Sequence, residues 1–203
     1  MCAQGALAQA TSNPNLNAQL LVAARQADLP AMKTALARGA VVDSRNRLGK
    51  TPLLIAAEKG RLDMAELALA AGADVNVATV ERVTPLMAAS YSGQAELVKR
   101  LLAAGAQTDP LDRMHKPAIL YAAGQGRADV VALLLDRGVP VDAAYEHELT
   151  ALMWAAGQGS VPTTRLLLDR GARADLRDDR GHTALQIARD AGQAEVAALL
   201  EGR

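Results

Sequence analysis

The sequence has few of the residues that commonly stabilise a domain of its size. Of 203 residues one is cysteine, aromatic residues make up 2%, and phenylalanine is absent. A single cysteine excludes an intrachain disulfide and a zinc site built from cysteines. Aromatic side chains usually supply much of the volume of a large core. A core made largely of alanine and leucine instead predicts thin helices that pack closely together.

Charge and hydropathy argue against two classes of partner. Lysine plus arginine equals aspartate plus glutamate at 22 each, so the chain has no overall field that would attract nucleic acid. A basic stripe with interleaved aromatic residues is also missing from the sequence. No apolar run approaches the roughly 18–20 residues that a helix needs to cross a bilayer. We therefore expect neither a nucleic-acid partner nor a membrane span.

The N-terminal segment 1–16 is small, polar and uncharged, and two interpretations of it stay open. Ala6-Leu7-Ala8 and Ala8-Gln9-Ala10 fit the small-x-small pattern of a signal-peptidase site, but a basic region and a full apolar region are missing. The segment is either a disordered tail, which leaves a cytoplasmic location, or the end of a truncated signal peptide. The second interpretation predicts export, for a bacterial protein to the periplasm, and makes Cys2 a candidate lipoprotein cysteine.

A period of 33 residues runs through the rest of the chain. Three independent series of residues share it without an insertion or a deletion, and this regularity predicts a repeat array. The series are Gly60, Gly93, Gly126, Gly159 and Gly192, with Ala27 in the same phase; Gly39, Gly72, Gly105, Gly138 and Gly171; and Asp43, Asn76, Asp109, Asp142 and Asp175.

Each period is interpreted as two helices. Thr51-Pro52 and Thr84-Pro85 suit a helix start, because threonine caps free amides and proline fits the first turn. A pair of small residues then lets neighbouring helices approach, and a glycine of the first series ends the helix. Apolar residues at i, i+1, i+4 and i+5, as in 97–102, predict a second helix. The second glycine series ends that helix, and a loop leads to the next threonine.

The segments 51–60 (TPLLIAAEKG), 67–76 (LALAAGADVN) and 84–93 (TPLMAASYSG) resemble the ankyrin-repeat family. The resemblance covers residues 17–203. It implies an all-α solenoid of six 33-residue helix–loop–helix repeats with β-hairpin-like loops, whose first helices and loop tips form a concave face. The expected repeats 1 to 6 are 17–46, 47–79, 80–112, 113–145, 146–178 and 179–203.

Several positions depart from the family's pattern. A histidine usually follows Thr-Pro-Leu, and here apolar contact is expected to replace its polar bond. The positions concerned are Leu54, Met87, Leu120, Met153 and Gln186. Repeat 4 has Pro117 in place of the capping threonine, a loss of about 1 kcal/mol, which predicts the weakest junction between repeats 3 and 4. Terminal repeats need a polar outer face. In repeat 6 we expect it to be formed by Arg189, Asp190, Gln193, Glu195 and Glu201.

Residues with catalytic or metal-binding potential do not form a recognisable site. His115, His147 and His182 lie in successive loops. Loops of stacked repeats are about 8–10 Å apart, whereas zinc needs each nitrogen at about 2.1 Å. Gly124-Gln125-Gly126 has the phase of a helix end, so no phosphate loop is expected there. No nucleophile–base motif is present. We predict no metal, no cofactor and no enzymatic activity.

The resemblance implies that a partner contacts the loop tips and the residues before the first glycine of each repeat. The candidates at the tips are Arg47, Leu48, Lys50, Val80, Glu81, Arg113, Met114, His147, Arg180 and His182. The candidates near the helix ends are Glu58, Lys59, Ser92, Gln125 and Gln158. All four aromatic residues, which are Tyr91, Tyr121, Tyr145 and Trp154, lie in repeats 3 to 5 and are further candidates, because tyrosine and tryptophan are frequent in binding hot spots.

Two of these aromatic residues have an alternative role. Tyr121 and Trp154 are 33 residues apart, and Ile55 and Ile187 hold the same position in outer repeats, so core filling is as well supported as partner contact. Tyr91 occupies a variable position and is expected at the surface. The sequence therefore predicts a monomeric, non-enzymatic protein–protein interaction module, and the signal-peptide interpretation extends this to an exported bacterial immunity or accessory protein. The alternative is a structural protein that self-assembles as a scaffold.

Overall fold

A computed structural model describes residues 14–202, which form twelve α-helices and one 3₁₀ turn. The helices are α1 Pro14–Gln26, α2 Leu29–Ala37, α3 Pro52–Lys59, α4 Leu62–Ala70, α5 Pro85–Ser92, α6 Ala95–Ala103, α7 Ala118–Gly124, α8 Ala128–Asp136, α9 Ala151–Gly157, α10 Val161–Asp169, α11 Ala184–Asp190 and α12 Ala194–Leu200, and the 3₁₀ turn is Glu146–Glu148. The interpretations of the N-terminal segment concern residues that lie mostly outside this range.

The helices form consecutive helix–turn–helix pairs. Odd-numbered helices stack on one another in chain order and form the inner row, and even-numbered helices stack in the same order and form the outer row. No residue between 14 and 202 belongs to a strand. The all-helical solenoid is confirmed, whereas the count of six repeats and their boundaries stay predictions. Helix α1 begins at Pro14, and Leu16 is buried in the core, so the helix includes residues that we assigned to the N-terminal segment.

The predicted threonine caps are confirmed. The hydroxyls of Thr51, Thr84, Thr150 and Thr183 each accept a hydrogen bond from the amide three residues later. At the equivalent place in α7, Pro117 provides no side-chain cap. These local bonds position the start of each inner helix, and therefore also the loop that precedes it.

The core consists of small and aliphatic side chains, as the composition indicates. The positions where apolar contact was expected to replace histidine are buried at Leu54, Met87, Leu120 and Met153. Gln186 does not follow this expectation. Its side chain is exposed, and its Oε1 accepts a hydrogen bond from the Thr183 amide at 2.8 Å. Helix α11 therefore begins with a polar capping box formed by Thr183 and Gln186.

Glycines of the first series have a left-handed backbone, and four of the five also lie under a side chain of the next repeat. Gly60 has a φ of 71°, and a Cβ placed on it would lie 2.5 Å from Gln94 Nε2 of the next repeat. Ala27 adopts the same conformation, with a φ of 58°, despite its side chain. The period thus located the helix ends correctly, but it did not indicate the contact between repeats.

The outer face of the last repeat is polar, with one correction. Arg189 and Glu201 form an ion pair of 2.7 Å, and Asp190 and Glu195 are exposed. Gln193 was wrongly placed on this outer face. Its side chain is partly buried and extends toward the preceding repeat, where Nε2 lies 3.5 Å from the carbonyl oxygen of Gly157.

Candidate partner-binding surface

The loop tips are tight turns whose shape is set by one polar side chain. In repeat 4, the Asp112 carbonyl accepts from the His115 amide at 3.1 Å, and Asp112 Oδ1 accepts from the amides of Met114 and Lys116 at 2.8 Å. The side chains of Asn46 and Asp178 play the same role in their loops. Such side-chain bonds to nearby amides are a local property of asparagine and aspartate.

Backbone hydrogen bonds link neighbouring tips. The Val80 amide donates to the Leu48 carbonyl at 3.0 Å, and the Arg113 amide donates to the Glu81 carbonyl at 3.2 Å. The bond expected between Met114 and Glu146 is missing from the described residues. There, His115 Nδ1 instead lies 3.5 Å from Glu146 Oε1.

The next pair of tips is linked again, because the Asp179 amide donates to the His147 carbonyl at 3.1 Å. The tips of repeats 2 to 4 therefore form one connected row, and the tips of repeats 5 and 6 form another.

The predicted apolar tip residues are exposed to solvent. Leu48 is 56% exposed, Val80 is 48% exposed and Met114 is 62% exposed. Val83 and Leu149, at the bases of their loops, are instead partly buried against the core. An aliphatic side chain that stays half exposed gains little from folding, so the first three are available to a partner.

The charged tip residues are mostly paired within the chain. Lys50 Nζ lies 2.7 Å from Glu58 Oε1, and Arg113 Nε lies 3.5 Å from Glu81 Oε2. Arg47 and Lys59 are exposed, without an ion pair among the residues that the structure describes. These pairs are at the surface, so each contributes little to the free energy of unfolding.

The tip of repeat 6 contains a buried carboxylate. The Asp178 side chain is only 1% exposed, and Arg180 Nη2 lies 2.7 Å from Asp178 Oδ2. Burial alone would raise the pKa of Asp178, but hydrogen bonds from Arg180 and from the amides of His182 and Arg180 outweigh it and lower the pKa. The Arg180 guanidinium is therefore partly occupied by an ion pair within its own loop.

The predicted histidines lie at separate tips. His147 Nδ1 is 2.7 Å from Asp179 Oδ2, and His182 Nδ1 is 3.8 Å from Asp190 Oδ2. Between residues 14 and 202, no group of three or more histidine, cysteine, aspartate or glutamate residues is arranged to hold a metal ion. Each histidine instead lies beside one carboxylate of a following element.

The candidates near the inner helix ends differ in their exposure. Gln125 and Gln158 are exposed and project from the ends of α7 and α9. Ser92 is partly buried, and its hydroxyl donates to the Ala88 carbonyl at 3.0 Å, so this side chain is committed to α5.

Tyr91 and Tyr121 form an aromatic pair on the concave face. Tyr91 is 51% exposed, and its ring meets that of Tyr121 edge-on, with 6.1 Å between the centroids and 77° between the planes. The Tyr121 hydroxyl donates to Asp112 Oδ2 at 2.5 Å. Burial, and then the bond to Asp112, raises the pKa of Tyr121 far above its ordinary value. Tyr121 thus holds Tyr91 in place and is itself largely framework.

A groove lies beside this pair. It has a volume of 370 Å³ and contains no charged lining residue except Glu58. Its remaining walls are Val83, Met87, Ala88, Tyr91, Ser92 and Tyr121. The groove runs along one side of α5 from the base of a loop tip to the helix end.

Trp154 lies further along the concave face and is half buried. Its Cε3 would lie 3.3 Å from a Cβ placed on Gly124, and Lys116 Nζ lies 4.4 Å from its ring centroid. Its Nε1 has no hydrogen-bond partner among the described residues. Tyr145 is partly buried against the core, and burial raises its pKa. Both aromatic residues therefore serve packing, and Trp154 also borders a surface cavity of 150 Å³.

Sequence reasoning missed Asp112, and it did not foresee that Lys116 and Gly124 both contact the Trp154 ring. One signal was available. Gly124 occupies the position at which repeats 2 and 3 have Glu58 and Tyr91. A helical glycine that the 33-residue period does not require indicates that another group approaches the helix closely. Here that group is the Trp154 ring.

The comparisons agree with this architecture. No helix between residues 14 and 202 is both long and apolar enough to cross a membrane. No curated protein matches the chain significantly. A family model described as ankyrin repeats (3 copies) matches residues 20–112, 72–145 and 119–202. The chain therefore belongs to the ankyrin-repeat family, whose members are generally protein–protein interaction modules.

Proposed function

We propose that this chain is a non-enzymatic module that binds a partner protein through its concave face and loop tips. The observation that carries the proposal is the exposed Tyr91 ring at the edge of the 370 Å³ groove. Tyrosine combines a large apolar surface with a hydroxyl, and it is frequent among residues that dominate binding energy. Tyr91 is the only aromatic residue of the described chain with half of its surface in solvent.

The surroundings of Tyr91 support a binding role rather than a folding role. Its hydroxyl has no hydrogen-bond partner among the described residues, so folding does not require it. Its ring is nevertheless held by Tyr121, which is fixed by Asp112. An exposed side chain that is already ordered loses little conformational entropy when a partner covers it.

The groove supports binding rather than catalysis. Its only carboxylate, Glu58, lies 2.7 Å from Lys50 Nζ. The hydroxyl of Tyr121 has a strongly raised pKa, so it stays protonated at neutral pH and does not act as a base. Apolar walls with one paired charge suit the side chains of a partner.

The test begins with the full chain immobilised in an extract of the source organism, followed by identification of the retained protein. Binding of the purified partner to Tyr91→Ala is then measured by calorimetry. We expect affinity to fall at least roughly tenfold, because truncating a hot-spot residue costs about 2 kcal/mol or more. Lys99→Ala is the matched control, since Lys99 is exposed on the outer helix α6 of the same repeat. Circular dichroism should be unchanged for both variants.

Two results would contradict the proposal. An identified partner that binds wild type and Tyr91→Ala equally would show that the groove is not the contact. Sedimentation that reveals only association of the chain with itself would favour the scaffold alternative instead. Export as an immunity or accessory protein is a further part of the proposal, supported by the small-x-small pattern of residues 6–10. Fractionation of the native cells tests it, and a purely cytoplasmic location would contradict it.

A further inference from the structure

The loop tips of repeats 2 to 4 concentrate positive charge. The segments 47–50, 80–83 and 113–116 contain one carboxylate, Glu81, and five lysine or arginine residues, besides His115. The basic residues are Arg47, Lys50, Arg82, Arg113 and Lys116. The following tip, 146–149, contains Glu146 and Glu148 and no basic residue other than a histidine. Because the whole chain has no net charge, this basic ridge (the tips 47–50, 80–83 and 113–116) is a local feature.

Part of the positive charge of the basic ridge remains available to a partner. Arg47 and Arg82 are exposed, and neither forms an ion pair with a carboxylate in the part of the chain that the structure describes. Among residues 14–202, the Lys116 ammonium contacts the face of the Trp154 ring and no carboxylate, so its positive charge stays uncompensated. Three cations of the basic ridge are therefore free to interact with an acidic group.

The basic ridge is also apolar between its charges. Leu48, Val80 and Met114 are each about half exposed or more, at 56%, 48% and 62%. In the sequence, Leu48 follows Arg47, Met114 follows Arg113, and Val80 lies two residues before Arg82. Exposed aliphatic side chains interleaved with cations match a segment in which acidic and aliphatic residues are interleaved.

The connected row of tips makes the basic ridge a preorganised surface. The bonds from Val80 to Leu48 and from Arg113 to Glu81 fix the three tips relative to one another. The connected row of tips ends between Met114 and Glu146. The next tip, which begins at Glu146, is acidic instead of basic. A partner therefore meets three tips whose backbones are fixed relative to one another, and binding loses less entropy than with independent loops.

The shape of this region favours a protein partner over a membrane or a nucleic acid. Val83, Met87 and Tyr91 follow one side of α5 from the basic ridge into the concave groove, so the surface is bent rather than flat. The three tips contain no aromatic residue on which a base could stack. A protein segment can follow such a bend, whereas a bilayer surface cannot.

We infer that the basic ridge binds an acidic segment of the partner protein, one that carries aliphatic residues between its carboxylates. This rests on the proposed function and adds the partner's chemistry to it. Arg47, Arg82 and Lys116 attract the carboxylates, and Leu48, Val80 and Met114 cover the aliphatic side chains. Charge attraction of this kind speeds association and weakens with salt.

The test is a selection of random peptides displayed on phage against the full wild-type chain. We expect the enriched peptides to be acidic and to contain aliphatic residues. A synthetic peptide of the enriched sequence should bind at least roughly tenfold more weakly to the double variant Arg47→Glu/Arg82→Glu. Its affinity for wild type should fall between about 0.05 M and about 0.5 M NaCl.

Lys33→Glu/Arg165→Glu is the matched control. These residues are exposed on the outer helices α2 and α10, have no ion pair among the described residues, and give the same change in net charge. The control should bind the peptide as wild type does. Circular dichroism and urea unfolding of both double variants exclude a loss of folding as the cause.

Each other outcome overturns the inference. Enriched peptides that are neutral or basic would overturn it. An equal loss of peptide binding in both double variants would also overturn it, and so would a selection that enriches no peptide. Vesicles containing phosphatidylserine and a DNA duplex are tested in parallel, and binding of either at the basic ridge without acidic peptides would assign a different class of partner. Neutral peptides whose binding is lost in Tyr91→Ala would leave the proposed function intact and refute only the acidic segment.

Discussion

The ring of Trp154 packs directly over Gly124 of the preceding repeat. A Cβ at Gly124 would lie 3.3 Å from Cε3 of the indole, closer than most such contacts. Lys116 Nζ lies 4.4 Å from the centroid of the same ring. The missing side chain of a glycine in α7 thus determines where the single tryptophan lies on the concave face, and it makes the indole a reporter of the contact between repeats 4 and 5.

Gly124→Ala should displace this ring. Alanine favours the helix by roughly 0.5–1 kcal/mol over glycine, but its Cβ would lie 3.3 Å from Trp154 Cε3, so the partly buried indole must shift. We expect a clear change in tryptophan fluorescence and a change of less than about 1 kcal/mol in the free energy of unfolding. Gly157→Ala is the control, because its Cβ would meet Ile187 Cγ2 at 3.2 Å instead. Unchanged emission in Gly124→Ala would refute the packing.

Ala27→Gly should stabilise the first repeat. Ala27 has a φ of 58°, a left-handed conformation that costs an L-residue roughly 1 kcal/mol and glycine almost nothing. Urea unfolding should therefore show a gain of up to about 1 kcal/mol, reduced by the greater freedom of glycine in the unfolded chain. Ala24→Gly, in the buried face of α1, should instead destabilise. A loss of stability in Ala27→Gly would show that the left-handed conformation is not strained.

Pro117→Thr should restore the missing cap of α7. A threonine hydroxyl at this place would accept a hydrogen bond from the Leu120 amide, as Thr84 does from Met87 at 3.2 Å. We expect a gain of about 1 kcal/mol in the free energy of unfolding and slower hydrogen exchange at the start of α7. The related prediction that repeats 3 and 4 form the weakest junction fails if α7 exchanges more slowly than every other inner helix in the wild-type chain.

Stability should fall with rising pH through the ionisation of Tyr121. Its pKa in the folded protein is raised above the unfolded value of about 10. The stabilisation is therefore fully present below about pH 10, and it is lost as pH rises above that value because the unfolded chain releases the proton first.

Tyr121→Phe removes this ionisation and should flatten the dependence of the unfolding free energy on pH between about 9 and 11.5. Tyr91→Phe is the control, since the Tyr91 hydroxyl has no hydrogen-bond partner among the described residues. Parallel curves for wild type and Tyr121→Phe would indicate that neither burial nor the bond to Asp112 raises the pKa of Tyr121 in solution.

The sequence was sufficient for features that depend on a few neighbouring residues. Thr51 and Thr84 cap helices through amides three residues away, and Gly60 ends a helix through its own φ. Such local preferences act before any tertiary contact exists, and a regular period repeats them along the chain. The order of elements, the helix ends, the uncapped Pro117 and the exposure of Tyr91 could therefore be predicted.

Contacts between repeats could not be predicted in the same way, because they join residues that are about thirty or more positions apart in the sequence. Gln193 was placed at the free end, but its side chain extends to Gly157, and Tyr145 is partly buried although a contact role was expected. The hydrogen bond missing between the tips at Met114 and Glu146 likewise depends on how the two loops pack against each other. The sequence by itself determined the helix pairs and their stacking order, whereas only the tertiary structure decided which side chains fill the joins between repeats and which remain at the surface.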